Sequence, residues 1–223
     1  MEDNDKTEIQ VDESGLQQTT KGRYPIYCLT IIGQIEGHFE ASNQIKTTKY
    51  EHVIPKLVDV QENPDIKGLL VILNTVGGDV EAGLAIAELI KGLTKPTASI
   101  VLGGGHSIGI PLAVSADRSF IVPSATMTVH PVRHSGTVLA TSQTMNYLDA
   151  IQQRVTGFVV ANSKISKTRL NKLMTKSSQL IMDLGTVLDG ETAVREGIID
   201  QIGCIGEAVE YLYSEIEKTQ TNG

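Results

Sequence analysis

From Tyr24 onward the chain alternates short, uninterrupted apolar runs with longer stretches in which apolar residues recur every three to four positions. The runs "IYCLTIIG" (26–33), "KGLLVILN" (67–74) and "TASIVLGG" (97–104) have the length and continuity of strands covered on both faces, as parallel strands are. Between them, 49–63 shows helical spacing interrupted by Pro55. A second helix, 80–93, is rich in Ala, Leu and Ile and closes at Gly92. The pattern further predicts a helix over 107–116, short strands at 119–122 and 126–130, a long helix over 138–163 and a helical piece at 166–176. Strand followed by helix, repeated, means βαβ units and a mainly parallel sheet. The expectation is one α/β domain (23–210) from which the long helix projects, preceded by a tail (1–22) and followed by a helix end and polar tail (211–223).

In an open sheet of this kind, sites gather at the carboxyl ends of the strands. The distinctive residues fall there. "NTVGGDV" follows the strand at 67–74, "GGGHSIG" follows the strand residues 97–102, and His130 ends the strand at 126–130. Ser107 stands in Gly105-His106-Ser107-Ile108-Gly109, a G-x-S-x-G arrangement in which glycines permit a tight strand-to-helix turn and expose a hydroxyl. The bland alternative is a serine N-cap. A serine needs a base to act as a nucleophile, and His130, carried at the same sheet edge, is the candidate. His106 adjoins the serine and should point away from it; His134 lies in "RHSGT", and both are less well placed. Gly77 and Gly78 open a helix after a strand, so their N–H groups, with that of Ile108, suit an oxyanion hole. "NTVGGDVEAG" fits neither the phosphate-loop nor the dinucleotide fingerprint.

Charge removes other classes. The net charge is -7, and residues 1–15 hold six acids against one lysine, net -5, which leaves -2 for the remainder. A near-neutral body lacks the basic face that nucleic acid requires, and the acidic start reads as a solvated, disordered tail. Cys28 and Cys204 sit in apolar contexts and read as buried, reduced thiols; no Cys/His spacing suits a metal, and no cofactor motif is present. The chain opens on acids rather than a signal segment, and no apolar stretch approaches the roughly 20 residues of a membrane span, so a cytoplasmic protein is expected.

The motifs together resemble the ClpP serine peptidases. "LNTVGGDVEAGLAI" is similar to the family's I-N-S-P-G-G-x-V-x-x-G-x-A-I, and "GGGHSIGIPLAVSA" to the segment bearing its nucleophile. "MTVHP" resembles its M-I-H-Q-P, and "LDGETAVREGIIDQIG" its closing L-S-A-x-E-A-x-x-x-G-L-V-D-x-I. The four occur in family order over about 24–205. "HPVRHSG" and "DLGTVL" look like the translocation-enhancing branch of spore-forming bacteria, which is associated with protein export or with proteolysis in spore outgrowth. The resemblance implies a ClpP/crotonase-like domain of repeated ββα units with a handle helix, and an endopeptidase that uses no cofactor. Ser107 would be nucleophile and His130 general base, with the amides of Gly78 (or Gly77) and Ile108 as oxyanion hole. It also implies a peptide or unfolded-protein substrate and a homo-oligomer, ring type included; the motifs neither require nor exclude an ATP-driven unfoldase.

One position departs. Aligning "TVLDG" with the family's R-F-L-S-A puts Gly185 where the triad aspartate belongs. Asp183, two residues earlier, faces the same side of an extended segment and is the candidate third member. Asp189 falls after the strand-like run. The missing acid keeps a second class open, a catalytically weakened scaffold in a translocation complex. A crotonase-type acyl-CoA enzyme is the third, disfavoured because it needs no Ser/His pair.

Overall fold

The computed structural model describes residues 19–133, 141–176 and 185–221. The first three apolar runs become long strands: β1 (Ile26–Glu36), followed by the short β2 (Thr47–Lys49) and helix α1 (Tyr50–Glu62); β3 (Gly68–Gly78), followed by α2 (Val80–Lys91); and β4 (Thr97–Gly105), followed by α3 (Gly109–Val114). Pro55 does not break α1, because the helix buries Val53, Leu57 and Val60 on either side of it. Asp79 caps α2 by accepting the Ala82 N–H at 2.8 Å, and Gly92 is its C-cap.

β5 (Arg118–Ile121) and β6 (Thr126–Val129) follow, then α4 (Ser142–Ala161), α5 (Lys167–Met174), β7 (Thr186–Asp189), α6 (Gly190–Arg195), β8 (Gln201–Ile202) and α7 (Ile205–Thr221). The strands run β2-β1-β3-β4-β5-β8, every pair parallel. β6 leaves this path: it touches β4 at Gly104↔Thr126 and pairs antiparallel with β7. The mixed, mainly parallel α/β sheet is the architecture expected of repeated ββα units.

One face of the sheet is covered by the first three helices and by the C-terminal half of α4, around Leu29, Ile31, Leu73, Ile86 and Leu112. The other face packs Ile26, Leu70, Ile100 and Phe120 against Ala208, Leu212 and Ile216 of α7. This helix corrects the boundary expected at residue 210, since Leu212 and Ile216, beyond it, are wholly buried. The thiols are free, but Cys204 is exposed and Cys28 only half-buried. Cys204 lies at the turn into α7, where its N–H, rather than its side chain, is anchored, by Glu207. No helix among the described residues is long and apolar enough to cross a membrane.

Helix α4 has two unlike halves. From Ile151 on it buries Ile151, Thr156, Phe158 and Val159. Before that, Met145 and Tyr147 are more than half exposed, and Leu148 is half-buried. Val138 and Leu139, expected to begin its apolar stripe, lie outside the described residues, as does the tail over 1–18.

Candidate active site

Ser107 lies between β4 and α3, outside both. Its φ is +57°, and it is alone among the described non-glycine residues in the left-handed region. For a residue with a Cβ this conformation costs on the order of 1–2 kcal/mol. It persists because neighbours hold both sides of the turn. His106 N–H donates to Thr75 O (3.2 Å), Ser107 N–H to Thr128 O (2.9 Å), and Gly109 N–H and Ile110 N–H to His106 O and Ser107 O. Ser107 does not cap α3: the N-cap is Ile108, without a side-chain bond. Ser107 is half-buried, and its Oγ makes no hydrogen bond among the described residues.

The β3–α2 turn closes on this serine. A Cβ on Gly77 would lie 2.8 Å from Ser107 Cβ and 2.9 Å from His106 O, and φ at Gly77 is +91°. Glycine is therefore required for contact between the two turns. The Gly77 N–H, however, is donated to Thr75 Oγ1 at 3.0 Å. The amide expected in an oxyanion hole with those of Gly78 and Ile108 is thus engaged within its own turn. The Ile108 N–H has no main-chain partner among the described residues.

Strand β6 brings in the histidine. Thr128 accepts the Ser107 N–H, and His130 follows two residues later on the same face. His106 is not free to compete. Its Nδ1 is 2.8 Å from Thr128 Oγ1, its ring fills the space a Cβ on Gly104 would occupy, and burial, helped by nearby His130, pushes its pKa down. Burial thus favours its uncharged form, packed beside the site. His130 is half-buried, and its Nδ1 is 2.7 Å from Pro131 O. The next main-chain N–H, that of Val132, donates at 2.7 Å to Gln152 Oε1 on α4. The Gln152 amide is in turn held through Nε2 by Thr156 Oγ1 (3.2 Å) and Met174 Sδ (3.3 Å).

The third triad position is where sequence and structure meet most closely. The last pair of the β6–β7 ladder is Val129↔Thr186. Extended one step beyond that last pair, the register would set Gly185, the residue aligned with the family aspartate, opposite His130, and Gly185 has no side chain. Its φ is +142°. Asp183 and His134 lie outside the described residues. Asp189 is excluded: it accepts the Thr192 N–H at 2.8 Å as the cap of α6, four residues from the histidine end of the ladder. Among the described residues no cluster of three metal-ligating side chains occurs. Sequence reasoning missed Pro131 and Gln152; the one available signal was Gln152 and Thr156, polar residues four apart on the packed half of a helix.

An open cleft of about 550 Å³ lies elsewhere, between α2 and α4, with the Arg154–Glu81 ion pair and Phe158 in its lining. Its lining includes neither Ser107 nor His130.

Comparison with known proteins gives the family and the fold. The Clp protease family model matches residues 27–205. A translocation-enhancing protein TepA of Halalkalibacterium halodurans is 54% identical over 195 residues, 87% of this chain and 76% of that protein. An ATP-dependent Clp protease proteolytic subunit of Streptococcus pneumoniae is 26% identical over 174 residues, 75% of this chain and 81% of that one. Among solved structures, a point mutant of ClpP1 from Listeria monocytogenes superposes with a TM-score of 0.63 at 18% identity, over 79% of this chain and 90% of that one, a likeness of fold.

Proposed function

The chain belongs to the Clp protease family, and from that premise we propose that it is a serine endopeptidase in which Ser107 is the nucleophile and His130 the general base. The observation that carries the reading is the backbone of Ser107. A left-handed, non-glycine serine with an unengaged hydroxyl, braced by the strand that bears a histidine, is strain placed where chemistry uses it.

In this reading a peptide carbonyl lies over the turn. His130 Nε2 takes the Ser107 hydroxyl proton as Oγ attacks the carbonyl carbon. The oxyanion is met by the N–H groups of Gly78 and Ile108. His130 then protonates the leaving amine, and water, deprotonated at the same nitrogen, releases the acyl group. In the resting protein Ser107 Oγ is not hydrogen-bonded to His130; such bonds often close only with substrate in place. The substrate class is peptide or unfolded protein, and the working form a homo-oligomer joined through α4. Protein export is the setting suggested by the relative named translocation-enhancing.

A second reading, a catalytically weakened scaffold in a translocation complex, is favoured by one observation, the glycine at 185 where the family's aspartate would align. A fluorophosphonate probe separates the two. The wild-type chain is expected to be labelled and Ser107→Ala to remain unlabelled. An unlabelled, folded wild-type protein would sink the peptidase reading.

A further inference from the structure

We propose that Gln152, on the long helix α4, is a positioning residue that sets the tautomer of His130 through the Pro131–Val132 peptide unit, the task a triad carboxylate would otherwise perform. The inference rests on the assignment of His130 as the base.

A base that accepts the serine proton at Nε2 must carry its own proton on Nδ1, and an acceptor must hold it there. Within the described residues no carboxylate meets that nitrogen, and the ladder register, extended one step past Val129↔Thr186, would put Gly185 opposite His130. The acceptor present is Pro131 O, at 2.7 Å. A carbonyl oxygen can only accept, so the contact places the proton on Nδ1 and leaves the Nε2 lone pair available.

A lone main-chain carbonyl would be a poor clamp if its peptide plane could rotate. Two features fix it. The proline ring sets φ at Pro131 and restricts His130 to extended conformations. In addition, the C=O of Pro131 and the N–H of Val132 belong to one planar unit and point opposite ways, and that N–H is donated to Gln152 Oε1 at 2.7 Å. Engaging the N–H also polarises the carbonyl, since hydrogen bonds along a chain reinforce one another. The side-chain amide is not free to flip, because Nε2 is directed at Thr156 Oγ1 and Met174 Sδ. Thr156 is 2% exposed, which roots the relay in the core. The order is therefore Thr156, Gln152, the 131–132 peptide, His130. A neutral acceptor stabilises the imidazolium less than a carboxylate would, so the relay fixes geometry and tautomer while giving a slower base.

The test is nitrogen NMR of the imidazole of His130 in the full-length chain, together with the rate of fluorophosphonate labelling. Wild type should show the Nδ1–H tautomer. Gln152→Leu, which removes the acceptor, should mix the tautomers and slow labelling about ten-fold or more, part of the ~10²–10⁴ a general base supplies. Gln152→Glu keeps an acceptor for Val132 and should restore both readouts to within about three-fold of wild type. An Nε2–H tautomer in wild type overturns the proposal; so does a Gln152→Leu protein with unaltered tautomer and labelling rate. If wild type is unlabelled, the peptidase reading falls, and the tautomer in the same samples still decides the role of Gln152.

Discussion

At the scale of single residues, the site depends on the contact between two turns, and Gly77 is where that contact is tightest. Any side chain there meets Ser107 Cβ and the His106 carbonyl within 3 Å and must adopt φ +91°. Gly77→Ala is therefore expected to cost about 1–3 kcal/mol, read as a lowered denaturation midpoint, and to abolish probe labelling by displacing the serine turn. Labelling at the wild-type rate would show that the two turns need not touch. The residue scale is also where the sequence was most and least legible. G-x-S-x-G and the Gly-Gly pair could be read because glycine marks backbone that other residues cannot adopt. The engagement of the Gly77 amide by Thr75 Oγ1 could not be read, because it depends on how a bulge in β3, opposite Gly33–Gln34, turns one hydroxyl. The Pro131 carbonyl left no trace either, since every residue has one.

Among the elements, periodicity located the strands β1, β3 and β4 and helices α1, α2 and α5 within a few residues. It failed where burial comes from a single distant partner. Helix α7 is such a case: its strip Ala208, Leu212, Ile216 is short and sparse, and it gains meaning only against Leu70, Ile100 and Phe120 on a sheet formed far earlier in the chain. That strip covers the face of the sheet opposite α1–α3, so it carries the stability of the strands that bear the site. Leu212, wholly buried, is the central contact. Leu212→Ala should destabilise the fold by roughly 2–5 kcal/mol, measured by denaturant unfolding, with an unchanged dependence on denaturant. A loss below about 1 kcal/mol would mean that α7 is a peripheral appendage. By contrast the Arg154–Glu81 pair joins α4 to α2 across solvent, with both side chains about half exposed, and a pair of that kind is worth only ~0.2–1 kcal/mol.

For the whole molecule, the question is what stabilises the outer half of α4. Nine residues, 142–150, stand clear of the chain's own core. An isolated helix of that length is marginal in water, because helices in proteins owe their stability to packing of one face. The N-cap bond from Thr144 N–H to Thr141 Oγ1 contributes only about 1 kcal/mol. The apolar side chains on this half, Met145 and Tyr147 with Leu148 beside them, have no partner surface within the described protomer large enough to bury them. A second copy presenting the same helix would provide that surface, in line with the proposed homo-oligomer, on a segment that adjoins Gln152 and the relay to His130. Light scattering at micromolar concentration should accordingly give a mass several-fold above the 24.0 kDa of the chain. The double substitution Met145→Asp, Tyr147→Asp places charge on the projecting face without touching the buried half, and it should shift the mass downward while leaving the protomer's secondary structure intact. A wild-type chain that scatters as a monomer would remove the oligomer from the functional reading; a double variant that stays fully assembled would place the interface on another surface.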